Sequence, residues 1–91
     1  MSRSHIVVHG RVQGVGFRAT TKQIAEQLEL KGWVKNKSDG SVEIEAEGDP
    51  ASLKEFVDQL NEGPTPFAKV QAIDIEDFDS EEGYEKFKVK E

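Results

Sequence analysis

Gly10-Arg-Val-Gln-Gly-Val-Gly-Phe-Arg18, with an alternating run before it and a helical pattern after it, is the stretch that decides how this chain folds. In the run Ser4–Gly10, Ile6 and Val8 fall on one face of a strand and His5, Val7 and His9 on the other. Beyond Arg18, Thr21, Ile24, Ala25 and Leu28 fall at i, i+3, i+4 and i+7, one stripe of a helix. The glycine-rich segment is therefore a strand-to-helix loop. Its glycines permit tight turns and close approach of a ligand to the amides. The helix start aims N–H groups at one point, and Arg18 adds a planar fork of donors there. Such a loop suits an anion with tetrahedral oxygens, above all a phosphoryl group.

The same reading extends along the chain. Leu30 and Gly32 close the first helix, with Gly32 expected near its left-handed stop. Trp33–Asn36 is a short second strand, and Lys37-Ser-Asp-Gly40 a hairpin turn with Asp39-Gly40 supplying the positive-φ chemistry. Ser41–Glu47 alternates: Val42, Ile44 and Ala46 toward a core, Glu43, Glu45 and Glu47 toward water. Asp49-Pro50 starts a second helix, Asp as N-cap and Pro at the first helical position, with Leu53, Phe56, Val57 and Leu60 as its apolar stripe. Gly63-Pro64-Thr65-Pro66 breaks the chain. Val70–Phe78 is a strand whose alternation slips between Ala72 and Ile73, the mark of a bulge. Asp79–Gly83 is an acidic loop, and Lys86–Lys90 a last strand with Phe87 and Val89 aligned. The order βαββαβ, with a short extra strand, predicts one α+β domain over residues 1–91. Its expected form is a ferredoxin-like sandwich, an antiparallel or mixed sheet of four to five strands with two helices on one face.

Composition narrows the function. Ninety-one residues make one domain that buries roughly 60–65% of its unfolded surface. Apolar content is 35% and mean hydropathy −0.63, yet the clean alternation argues for a fold rather than disorder. No run approaches the roughly 18 apolar residues of a membrane span, and Met1–His5 lead into too few apolar residues for a secretory signal. The expected compartment is the cytoplasm, with a mature secreted form as the alternative. With no cysteine, disulfides, thiolate catalysis and thiolate metal sites are excluded. His5 and His9 share a face; a zinc pair there competes with a plainer reading, two half-exposed strand residues, because no further ligand pattern joins them. The net charge of −6 is uneven: residues 1–40 hold seven Lys/Arg against three Asp/Glu, residues 41–91 five against fifteen. Either this is surface solubility or the half bearing the loop attracts anions. A net acidic chain is a poor generic nucleic-acid binder.

Three motifs, Gly10 to Arg18, Gly32-Trp-Val-Lys-Asn36 and Asp39-Gly-Ser-Val-Glu43, in this order and spacing, resemble the acylphosphatase pattern. The resemblance runs from about Ile6 to Val89. It implies the same ferredoxin-like fold and a small, metal-free enzyme without cofactor that hydrolyses the mixed anhydride of a carboxylate and phosphate. It also implies that Arg18 binds the phosphate, that Asn36 orients the attacking water, and that the amides of Gln13, Gly14, Val15, Gly16, Phe17 and Arg18 form the cradle. The expected partners are a small acyl phosphate and its product, inorganic phosphate, with no nucleic acid, no membrane and a monomeric state. Ala19, where the family often carries a bulky residue, and Gly16, where some members carry a larger one, depart from the pattern and touch substrate preference and loop rigidity.

The residues themselves fit that chemistry. A carboxylate is a good leaving group, so no histidine or carboxylic acid is needed to protonate it. The phosphoryl oxygens must be held, developing charge neutralised and a water placed in line. Asn36 can both accept from and donate to water, although spacing alone leaves it equally readable as hairpin punctuation. Trp33 reads as core or a cap on the sheet. Thr21 lies on the helix stripe and is given no role. A P-loop nucleotide enzyme is disfavoured because no Gly-Lys-Ser/Thr follows the glycines. An RNA-binding module shares the element order, but here the glycines precede a helix and stacking aromatics are missing from the central strands. A ferredoxin-like binding domain without catalysis is the remaining competitor. Similar domains occur fused within larger hydrogenase-maturation carbamoyltransferases.

Overall fold

The computed structural model describes residues 2–14 and 16–90; Val15, one of the expected cradle residues, lies outside them. The elements are β1 (Ser2–Arg11), α1 (Phe17–Gln27), β2 (Lys31–Asn36), β3 (Val42–Gly48), α2 (Pro50–Glu62), β4 (Lys69–Phe78) and β5 (Phe87–Val89). They form one five-stranded sheet in the order β4-β1-β3-β2-β5. All neighbours are antiparallel except β2 and β5, which run parallel. This is the expected ferredoxin-like α+β fold with a mixed sheet.

Period-two alternation sends Ile6, Val8, Val34, Val42, Ile44 and Ala46 to the helix side, all fully buried. The helix stripes meet them there: Thr21, Ile24 and Ala25 from α1, Leu53, Phe56 and Leu60 from α2. Each aliphatic or aromatic side chain removed from water this way contributes about 1.5–3 kcal/mol. Phe87 of β5 closes the core edge-on against Phe56, ring centroids 6.2 Å apart. Asp49 caps α2 as expected, its carboxylate accepting from Ala51 N–H at 2.9 Å.

Three local expectations are corrected. The left-handed stop of α1 is Glu29, not Gly32. Glu29 has φ 58°, and the N–H groups of Glu29 and Leu30 donate back to the Glu26 and Ala25 carbonyls, a Schellman pattern. Gly32 belongs to β2, where a Cβ would lie 1.9 Å from the Glu45 carbonyl oxygen, so the glycine serves a close crossing of two strands. The slip in β4 is real but sits a residue earlier than the pattern suggested. His9 pairs with Ala72 and Gly10 with Val70, leaving Gln71 unpaired in the β1–β4 register.

The third correction concerns β3. Glu43 is half-buried, as a strand with a wet face would have it, but Glu45 and Glu47 are buried. Alternation reports which face a side chain takes, not what covers that face. Here the segment after β4 folds back over it: Glu47 accepts from the N–H groups of Glu82, Gly83 and Tyr84, the last at 2.6 Å. Glu45 accepts from Arg3 at 2.8 Å and from the Tyr84 hydroxyl at 3.3 Å. Arg3 also lies 4.2 Å from the centre of the Phe78 ring. Burial beside these acidic neighbours pushes the Tyr84 phenol up. Trp33 is, as expected, a cap on this face: its indole N–H donates to Tyr84 at 3.2 Å, and the Lys90 ammonium sits 4.5 Å from the ring centre.

Candidate active site

The end of β1, the start of α1, the end of β2 and the edge of β5 converge on one cleft of about 210 Å³. Its lining includes Gly14, Gly16, Phe17 and Arg18 of the glycine loop and helix start, and Asn36 from the last position of β2. Residues 18 positions apart thus meet because β2 returns alongside the strand-loop-helix unit.

Helix α1 begins in an unusual way. Its N-cap is Gly16, in the left-handed region at φ 76°, and no side chain caps the helix. Gly14 is also left-handed, φ 73°. A Cβ on either would meet nothing within 4 Å, so these glycines answer to backbone conformation, not to crowding. No acidic side chain stands in the first turn of α1. The first N–H groups and the positive end of the helix dipole therefore face the cleft uncompensated, an arrangement that favours an anion.

Arg18, in that first turn, lines the cleft, and its Nη1 donates to the Lys90 carbonyl at 2.9 Å. The partner is neutral, so among the described residues no carboxylate cancels the guanidinium charge. Asn36 presents the complementary feature. Its Oδ1 is buried and, among the described residues, has no hydrogen-bond partner. A buried acceptor in that state costs about 1–3 kcal/mol, and a water or ligand donor would satisfy it.

Gln13 was expected here through its backbone amide, but its side chain has a distinct place. Nε2 donates to both the Lys37 carbonyl at 2.7 Å and the Ser41 carbonyl at 2.8 Å. It ties the glycine loop to the neck of the hairpin that follows Asn36. The hairpin is fixed on its other side by Asp39, whose carboxylate accepts from Ser41 N–H and hydroxyl; those bonds hold the Asp39 carboxyl below its usual range. No pattern in the sequence marks such a reach. Val12 and Val89 also line the cleft without having been singled out for it, and Ala19, noted for its departure from the family pattern, lines it too. Val89 was aligned with the core residue Phe87, yet it is 41% exposed at the cleft mouth because β5 is an edge strand.

The histidines diverge. His5 Nε2 is 2.7 Å from Glu43 and His9 Nε2 is 2.9 Å from Asp74, so each pairs with its own carboxylate on a neighbouring strand. Among the described residues no group of three or more His, Asp or Glu is placed to hold a metal ion. Among the same residues no helix is long and apolar enough to cross a membrane. A larger hollow of about 370 Å³ between α2 and β4 contains none of the motif residues.

One cleft of a ferredoxin-like sandwich thus brings together an uncapped helix start, two left-handed glycines, an arginine and an asparagine. The acylphosphatase family model matches residues 4–89. An acylphosphatase of Lacticaseibacillus paracasei is 45% identical over 84 residues, 92% of this chain and 90% of the relative. The crystal structure of acylphosphatase from Bacillus subtilis superposes with a TM-score of 0.97 at 44% identity, covering 100% of both chains. Full-length HypF in a phosphate- and nucleotide-bound form matches at TM-score 0.89 and 29% identity, covering all of this chain but 12% of HypF. The chain belongs to the acylphosphatase family, and so to the hydrolases that act on phosphorus-containing acid anhydrides.

Proposed function

We propose that the protein hydrolyses small acyl phosphates to a carboxylate and inorganic phosphate, without a metal ion, and that Arg18, Asn36 and the amides of residues 13–18 perform the chemistry. The observation that carries this reading is the meeting, in one cleft, of an uncapped helix start, an un-neutralised guanidinium and a buried asparagine oxygen in need of a donor.

In the proposed step the amides and Arg18 hold the phosphoryl oxygens. A water donating to Asn36 Oδ1 attacks phosphorus in line. The new oxygen–phosphorus bond forms as the bond to the acyl oxygen breaks, and its electron pair leaves on the carboxylate. A neutral amide is too weak a base to take the proton of the water, so a phosphoryl oxygen accepts it. Holding water and phosphorus in attack geometry is the main contribution of the site, with fixed donors stabilising the charge that spreads over the equatorial oxygens.

Asn36→Ala tests the assignment. Turnover should fall on the order of 100-fold or more while phosphate inhibition changes little, because water placement matters to the chemical step and not to ground-state binding. Near-normal kcat in the folded variant would return Asn36 to the hairpin. Wild-type protein should keep full activity after exhaustive chelation; activity lost and then restored by magnesium or zinc would overturn the metal-free reading.

A further inference from the structure

The glycine loop and the strand end that carries Asn36 come from separate parts of the fold, and one side chain joins them. The Gln13 amide has two N–H donors on a single nitrogen. That nitrogen lies 2.7 Å from the Lys37 carbonyl and 2.8 Å from the Ser41 carbonyl, one donor for each. The same two carbonyls also close the hairpin: Ser41 accepts from Lys37 N–H at 2.8 Å, and Lys37 accepts from Gly40 N–H at 3.3 Å. Lys37 follows Asn36 directly, and Gly14 follows Gln13. The path from the loop to Asn36 therefore runs through one side chain and one further residue.

Little else fixes that spacing. Among the described residues from 12 to 17, only Val12 and Phe17 at the two ends are buried. Gly14 and Gly16 are exposed, and a Cβ on either would meet nothing within 4 Å. Lys37, Ser38, Asp39 and Gly40 are exposed as well. Among the described residues no other hydrogen bond joins residues 12–18 to residues 36–42. One bond would leave the loop free to pivot about it, whereas two bonds from one planar amide set both distance and rotation. The far end of this tie is itself firm, because Asp39 braces the hairpin through the N–H and hydroxyl of Ser41.

We propose that Gln13 is a positioning residue: its side-chain amide holds the phosphoryl cradle in register with the water on Asn36, and it acts through Asn36 without touching the substrate. The proposal rests on the hydrolysis set out above and adds to it the group that fixes the distance between its two halves. Attack in line tolerates little error, since a misplacement of about 1 Å can cost on the order of 100-fold in rate. Loss of the amide leaves the cradle N–H groups, Arg18 and Asn36 all in place. Phosphate should then bind much as before, while the chemical step slows.

The test measures kcat on benzoyl phosphate, and inhibition by inorganic phosphate, in Gln13→Met, Gln13→Asn, Asn36→Ala and Gln13→Met combined with Asn36→Ala. Methionine keeps the length of Gln13 without its donors; asparagine keeps the amide but is one methylene too short to span both carbonyls. In Gln13→Met kcat should fall by about 10- to 100-fold, with the phosphate inhibition constant within about threefold of wild type. Gln13→Asn should fall by at least about threefold. In the Asn36→Ala background the Gln13→Met change should cost less than about threefold more, because the water it positions is already lost. An equal loss with and without Asn36 overturns the proposal. So does near-normal kcat in Gln13→Met, or phosphate binding that weakens in step with kcat. Melting curves identify a variant that does not fold; if Gln13→Met is one, the same comparison made with Gln13→Asn decides the matter. Failure of wild type to turn over benzoyl phosphate overturns the hydrolysis itself, and this role with it, and is read in a different protein.

Discussion

Two polar regions of this molecule are built on opposite terms. On the open face of the sheet, Glu47 accepts three backbone N–H groups and Glu45 is matched by Arg3 and Tyr84. At the far end of the fold, α1 starts without a cap, Asn36 Oδ1 has no partner among the described residues, and Arg18 meets only a carbonyl. The first region is closed around its carboxylates: both glutamates have partners, Arg3 Nε alone among those groups being buried without one, and such networks rigidify a fold. The second is open, each group short of the partner its chemistry calls for. A ligand with several acceptor oxygens and one water would complete it. Stability should therefore answer to the first region and turnover to the second.

Glu47→Ala probes the closed region and should have the largest effect. Hydrogen bonds to an ionised group contribute about 1.5–3 kcal/mol each before water re-enters, so a net loss of about 3 kcal/mol is expected. For a domain this size that lowers Tm by roughly 12–20 °C. Measured well below the transition, kcat should stay within twofold of wild type. A stable variant with a large kcat defect would erase the distinction between the regions.

Arg18→Ala probes the open region through ligand linkage. Inorganic phosphate should stabilise wild type by about 2.7 kcal/mol at 100 times its dissociation constant. Arg18→Ala should abolish most of that gain, and Arg18→Lys should restore little of it because lysine lacks the planar fork. The measurement is a set of melting curves in phosphate and in chloride at matched ionic strength. An equal phosphate-dependent rise in all three proteins would move the anion site away from residues 13–18.

The two regions also differ in how far the sequence discloses them. That Gly14, Gly16, Arg18 and Asn36 share a cleft was legible in part: left-handed backbone favours glycine, while Arg18 and Asn36 were singled out for their roles through the family resemblance, spacing alone leaving Asn36 equally readable as hairpin punctuation. The strands and helix stripes were legible for a similar reason, since burial on one face imposes a period. The closed region was not. Glu45 and Glu47 have the alternation of solvated residues, and the acidic run after β4 reads as a loop in water. Glu47 is joined to that run by backbone N–H, which has no sequence signature, and Glu45 meets the distant side chains of Arg3 and Tyr84. Gln13 is hidden likewise, its partners being two carbonyls. Gly32 misled because a glycine required by strand crossing looks like one required by a helix stop.

Glu43 lies between these extremes, and its effect should be the smallest. Along β3 the glutamates Glu47, Glu45 and Glu43 pass from buried to half-exposed. The hydrogen bond from His5, 2.7 Å long, is the main cause holding the Glu43 carboxyl below its usual range, with Lys35 and Lys37 adding attraction. A carboxyl whose folded pKa is depressed binds fewer protons in the native state than in the unfolded one. Its contribution is therefore fully present above the unfolded value, about 4.3, and is lost as pH falls through the lower folded value. Glu43→Gln should thus melt below wild type at pH 7, by no more than about 1 kcal/mol for a partly exposed pair. The gap should close as pH drops below 4. Melting curves for both proteins between pH 7 and pH 2.5 decide it. A gap that widens in acid would mean that His5 supports the folded state through some group other than Glu43. A gap as large as that of Glu47→Ala would mean that burial along β3 does not set the worth of its carboxylates.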